Sequence, residues 1–119
     1  MTQTLMRPVN LSIRIDLPKG ARFGPGKAAL LRAVIETGSI RSAAERLKMS
    51  YPRALKLIEQ MNSSFTSPLI KTMHGGSTGG GASATAMGRE ILVLYDELCA
   101  ASVEANAALL TKFDNHVAD

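Results

Sequence analysis

Residues 39–61 read SIRSAAERLKMSYPRALKLIEQM, and the side chains there that could act on another molecule are Arg41, Lys48, Arg53 and Lys56, with Ser50 and Tyr51 among them. Guanidinium and ammonium groups bond phosphate oxygens and base edges. A helix start beside them adds free N–H groups and a partial positive charge. Catalytic chemistry is poorly served. His74 and His116 are the only histidines, and neither has an adjacent carboxylate or cysteine pattern, so neither a triad nor a zinc site is indicated. The glycine run that begins Gly75-Gly-Ser-Thr lacks the lysine of a phosphate-binding loop, and no G-x-S-x-G elbow occurs. The expectation is no enzyme, no cofactor and no metal.

What has to position those cations is a set of short helices. The sequence Asn10-Leu-Ser-Ile-Arg-Ile15 alternates polar and apolar residues and predicts a short strand. A first helix is predicted from about Gly26 to Thr37, with Leu30, Leu31, Val34 and Ile35 inward and Gly38 at its C-terminal cap. Ser39 then caps a second helix whose inward residues are Ile40, Ala43, Ala44 and Leu47. Ser50 caps a third, in which Pro52 is tolerated in the first turn and Ala54, Leu57, Ile58 and Met61 face the core. Leu69–His74 reads as a strand, followed by a glycine-rich tip and a short return strand near Ala84–Ala86. Thr85 caps a last helix expected to run unbroken from Ala86 to His116, on the order of 45 Å at 1.5 Å per residue.

Two helices joined by a three- or four-residue turn, the second basic on one side, describe a helix-turn-helix. The hairpin after them is its wing, its glycine backbone free to lie along a sugar-phosphate chain. The fold class expected is mainly α with a small β-hairpin wing, a winged helix-turn-helix over residues 1–85, plus a long C-terminal dimerisation helix over 86–119. Charge agrees with a polyanion partner: residues 1–89 hold 13 Lys/Arg against four Asp/Glu, net +9, and residues 90–119 hold one against six, net −5.

The segment TGSIRSAAERLKMSYPRALKLIEQMN, followed by LIKTMHGGSTGGGASATAMGREILVLYDEL, resembles the N-terminal DNA-binding domain of the ModE-type, molybdate-responsive transcriptional regulators. The likeness covers about Gly26 to Leu98 and is more specific than the general likeness to LysR-type domains. It implies a sequence-specific regulator binding a palindromic operator in double-stranded DNA as a homodimer. By position it implies DNA contact from Ser50, Tyr51, Arg53 and Lys56, with Arg41 and Lys48 as flanking candidates. It further implies contact from the wing at His74, Gly75, Gly76, Ser77 and Thr78. The Thr-Ser-Ala-Arg-Asn-like signature of the molybdate-binding portion is absent from the 119 residues, so the expectation is a ModE-like chain without that sensor, either a single-domain relative or a fragment cut before it.

On the last helix Ile91, Leu94, Leu98, Ala101, Ala105 and Ala108, with Tyr95, Ser102 and Leu109 beside them, form a seam of the coiled-coil kind for a second copy. Its first two turns also suit the chain's own core. Cys99 suits helix packing, with an intersubunit disulfide as the alternative. Neither an apolar leader nor a run of ~20 apolar residues is present, so a cytoplasmic protein with no membrane partner is expected. The rival class is a winged-helix interaction module that recruits a separate sensor or partner protein through the long helix.

Overall fold

The structure, a computed structural model, describes residues 9–73 and 81–118. Strands β1 (Ile15–Asp16) and β2 (Arg22–Phe23) form a minimal antiparallel hairpin, Ile15 opposite Phe23 and Asp16 opposite Arg22. Helices α1 (Pro25–Thr37), α2 (Ile40–Arg46) and α3 (Tyr51–Ser64) follow, then the antiparallel pair β3 (Ile70–Met73) and β4 (Gly81–Ala84). Helices α4 (Ala86–Ala105) and α5 (Ala107–Asp114) complete a winged helix-turn-helix with an extended C-terminal arm. No helix among the described residues is long and apolar enough to cross a membrane.

Helix starts and stops follow local chemistry. Pro25 opens α1, where its missing N–H has no helical partner to lose. Gly38 ends α1 at φ 73°, its N–H donating to the Val34 carbonyl at 2.8 Å. The Ser39, Ser50 and Thr85 hydroxyls accept from the backbone N–H three residues on, at 3.0, 3.2 and 3.0 Å. The core gathers Leu30, Leu31 and Val34 of α1, Ala43 and Ala44 of α2, and Ala54, Ile58 and Met61 of α3. Leu69, Ile70, Phe23 and Leu92 close it, and the Phe23 ring meets Phe65 and Tyr95 edge-on at 6.1 and 5.2 Å.

Four expectations need correction. The N-terminal strand is paired only at Ile15–Asp16, because a turn at Pro18–Gly20, closed by Leu17 N–H to Ala21 O, leaves β2 just two residues. Residues upstream find no ladder partner, and Leu11 is exposed. The return strand is Gly81–Ala84, earlier than Ala84–Ala86, because Thr85 is already committed to capping α4.

The third correction is that the last helix is broken at Asn106. Its side-chain amide donates to the Ser102 carbonyl at 2.7 Å, and its backbone N–H divides between Ser102 and Val103. Asn thus takes the hydrogen bonds a continuing helix would use, which is why it favours helix ends. The fourth concerns Tyr95, counted in the dimer seam but 7% exposed and held inside its own subunit. Its hydroxyl donates to the Ile13 carbonyl at 2.6 Å. Burial first, then hydrogen bonding with Cys99, pushes its pKa up to about 12.

Candidate nucleic-acid interface

The turn between α2 and α3 sets where the cations point. After Leu47 the Met49 N–H reaches back to the Ala44 carbonyl at 3.0 Å and the Lys48 N–H to Glu45 at 3.1 Å. That pattern is a Schellman closure, and it forces the residue between the two bonds into the left-handed region. Lys48 sits there at φ 58°, a position usually given to glycine. Ala43, Ala44 and Ala54, at most 2% exposed, let α2 and α3 pack closely, and the outer face of α3 is exposed.

Lys48→Gly should therefore stabilise the fold by about 0.5–1 kcal/mol, the strain relieved less the extra freedom of unfolded glycine. Chemical denaturation measures this directly. An unchanged or lower midpoint would mean that Lys48 is not strained.

On that outer face Tyr51, Arg53, Lys56 and Gln60 are exposed, and Arg53, Lys56 and Gln60 follow helical spacing. The Arg41 guanidinium lies 4.6 Å from the centre of the Tyr51 ring, a cation–π contact that braces the start of α3. Ser50 is exposed but spends its hydroxyl on the Arg53 N–H. Three other arginines are engaged in ion pairs: Arg46 with Glu36, Arg32 with Asp96 at 2.8 Å, and Arg14 with Asp16 at 2.9 Å. Among the described residues Arg41, Lys48, Arg53 and Lys56 have no such pair, so their charge is free for an outside anion.

The hairpin β3–β4 is fastened to this frame at two points. Asn62 near the end of α3 accepts from the Leu69 and Ile70 N–H groups at 2.9 and 3.0 Å and donates to the Ile70 carbonyl at 3.0 Å. From the other side Ala82 N–H donates to the Gly38 carbonyl at 2.9 Å. The hairpin therefore leaves the body at a fixed angle to α3. Its tip candidates His74, Gly75, Gly76, Ser77 and Thr78 lie outside the described residues.

The helix-turn-helix and its fastened hairpin lie within the segment that a protein family's model matches. The model for bacterial regulatory helix-turn-helix proteins of the lysR family matches residues 27–89. This chain belongs to that family. The chain is 36% identical over 96 residues to the molybdenum-pterin-binding protein MopB of Rhodobacter capsulatus, covering 80% of this chain and 34% of that one. It is 33% identical over 93 residues to the transcriptional regulator ModE of Haemophilus influenzae, covering 78% and 36%. It is 35% identical over 74 residues to the DNA-binding transcriptional dual regulator ModE of Escherichia coli K12, covering 62% and 28%. The chain thus spans about a third of the length of the curated relatives it matches.

Sequence reasoning missed one part of the surface beside α3. An open groove of about 890 Å³ separates α3 from the β1–β2 hairpin, and Arg14, Lys19, Arg22 and Lys27 line it together with Arg53 and Lys56. The basic bias of the first 27 residues was visible, but its convergence on α3 depends on the hairpin and could not be read from spacing.

Proposed function

We propose that this chain is a transcriptional regulator that binds a palindromic operator as a homodimer, with α3 reading the major groove. The observation that carries the reading is the exposed face of α3, where Arg53 and Lys56 have no carboxylate partner among the described residues and stand beside a capped helix start. Arg53 and Lys56 reach base edges or phosphates, Ser50 and Tyr51 meet the backbone at the helix start, and Arg41 and Lys48 extend the contact on the α2 side. The hairpin, with His74 to Thr78 at its tip, acts as the wing. The relatives named as transcriptional regulators support this role.

Dimerisation is assigned to α4 and α5. Leu94, Leu98 and Leu109 are 52%, 41% and 61% exposed, and Ala101 and Ala105 beside them let a second helix come close. Ile91 contributes from a half-buried position at the edge of the core. A two-fold pair presents two copies of α3 to half-sites one DNA turn apart, about 34 Å. The break at Asn106 places Leu109 and Phe113 on a separate segment, so the seam is made by two helices per subunit.

Arg53→Ala should weaken binding to a duplex selected by the full chain by about 1–3 kcal/mol and relax preference at one base position. Equal weakening on every sequence would make Arg53 a phosphate contact. Absence of any duplex binding by the full chain at low salt would overturn the reading in favour of an interaction module that docks a partner on α4–α5.

A further inference from the structure

The groove between α3 and the β1–β2 hairpin concentrates charge that recognition by α3 alone leaves unused. Of its sixteen lining residues six are Arg or Lys and none is Asp or Glu. Among the described residues, only Arg14 of the six has a carboxylate within ion-pair distance, Asp16. Lys27 turns inward to donate to the Arg22 carbonyl at 2.8 Å. Burial, and then the neighbouring Arg22 charge, pull its pKa below the usual lysine value. Cations packed this way repel one another in the free protein, and an anion entering the groove relieves that repulsion.

The shape of the groove narrows the choice of anion. It is a broad trough and not an enclosed pocket, and of its lining residues Leu57, Ala21 and Pro25 are the only ones other than glycine without a polar side chain. Such a surface suits a continuous phosphate chain and offers nothing to insert into lipid. Gly24, Pro25 and Gly26 at the start of α1 line it as well, and no side chain caps that helix start, which carries a partial positive charge. Arg53 and Lys56 belong both to the groove and to the outer face of α3, so a duplex engaged by that face brings its backbone to the mouth of the groove. We infer that the groove holds the phosphate backbone of DNA flanking the base pairs contacted by α3, with Lys19 and Arg22 as phosphate contacts; this rests on the DNA-binding reading given above.

The test uses the full chain and a duplex selected by it, prepared with and without roughly ten flanking base pairs, about one turn. Lys19→Gln with Arg22→Gln removes two exposed cations, and a melting curve verifies the fold. On the flanked duplex the slope of log affinity against log salt should become shallower by nearly two, at roughly 0.9 per lost contact. The preference for selected over scrambled sequence should not change, and on the trimmed duplex the variant should match the wild type. An unchanged salt slope on flanked DNA, with Arg53→Ala still weakening binding, overturns the groove assignment and leaves the role of α3 standing. Equal loss on trimmed and flanked duplexes overturns it as well. No effect from either variant removes the role of α3, and the groove assignment falls with it.

Discussion

Gly88→Ala should destabilise the protein by about 3 kcal/mol and loosen α4 from the hairpin. Gly88 lies one turn into α4, buried directly over the backbone of Leu69. A Cβ built there would overlap the Leu69 carbonyl oxygen and stand 3.0 Å from its carbon and 3.3 Å from its Cα. The obstacle is main chain, so no rotamer can relieve it. Nor can Leu69 retreat, because its carbonyl accepts the Thr85 N–H at 2.9 Å and its own N–H is bonded to Asn62. Overpacking of this kind costs a few kcal/mol because the fixed partner must shift. Helix propensity alone argues the opposite, since alanine is favoured over glycine by about 1 kcal/mol. Gly26→Ala is the internal control: a Cβ there meets nothing within 4 Å, so that variant should be neutral or slightly stabilising. Equal stability of Gly88→Ala and wild type in urea would show that α4 does not sit against β3 as described.

The contrast between those glycines marks what a sequence reader can and cannot obtain. The caps at Ser39, Ser50 and Thr85, the stop at Gly38 and the buried stripe of α3 were legible because each is decided within about four residues. Lys48 in a left-handed conformation was not, since its residue type argues against it and only the Schellman bonds to Ala44 and Glu45 impose it. The break at Asn106 was obscured by alanines on either side that favour helix, while a single Asn redirected the local hydrogen bonds. Tyr95 looked like a seam residue by spacing, yet a bond to Ile13, 82 positions away, draws it into the core.

The candidate interface divides along the same line. The cationic face of α3 was visible because Arg53 and Lys56 share a helix whose buried side was also visible. The second half of the basic surface was invisible because Arg14, Lys19, Arg22 and Lys27 reach the groove only through a two-residue hairpin. That hairpin is too short to leave a periodic signal. Its closure depends on Phe23 packing against Tyr95 and Phe65. On α4, Asp96 holds Arg32, and Glu90 and Glu97 are exposed on the same helix. Among the described residues, the acidic residues of the C-terminal part thus lie on α4 and α5, and the unpaired cations of α3 lie on a different element. On the function proposed above, this distribution would steer a duplex toward α3 and leave the arm for a second copy.

Asn62→Ala should cost about 3 kcal/mol and, if α3 and the wing act together, weaken operator binding beyond what lost stability explains. The Asn62 amide makes three hydrogen bonds to the backbone at Leu69 and Ile70, and alanine supplies none of them. Two N–H groups and one carbonyl at the start of β3 would lose their partners, where Leu69 and Ile70 are buried and water has little access. Each such group left unsatisfied costs about 1–3 kcal/mol, reduced where local rearrangement lets water in. Asn62→Asp separates the contributions. Its oxygens still accept from both N–H groups, but a carboxylate facing the Ile70 carbonyl replaces a donor, so a smaller loss is expected near neutral pH. Amide hydrogen exchange at Leu69 and Ile70 reads the same anchor locally: in Asn62→Ala both should exchange through local opening well before global unfolding. If those amides keep their protection and the unfolding midpoint does not move, the bond from Ala82 to Gly38 suffices to hold the hairpin. Asn62 would then have no part in fixing the wing relative to α3.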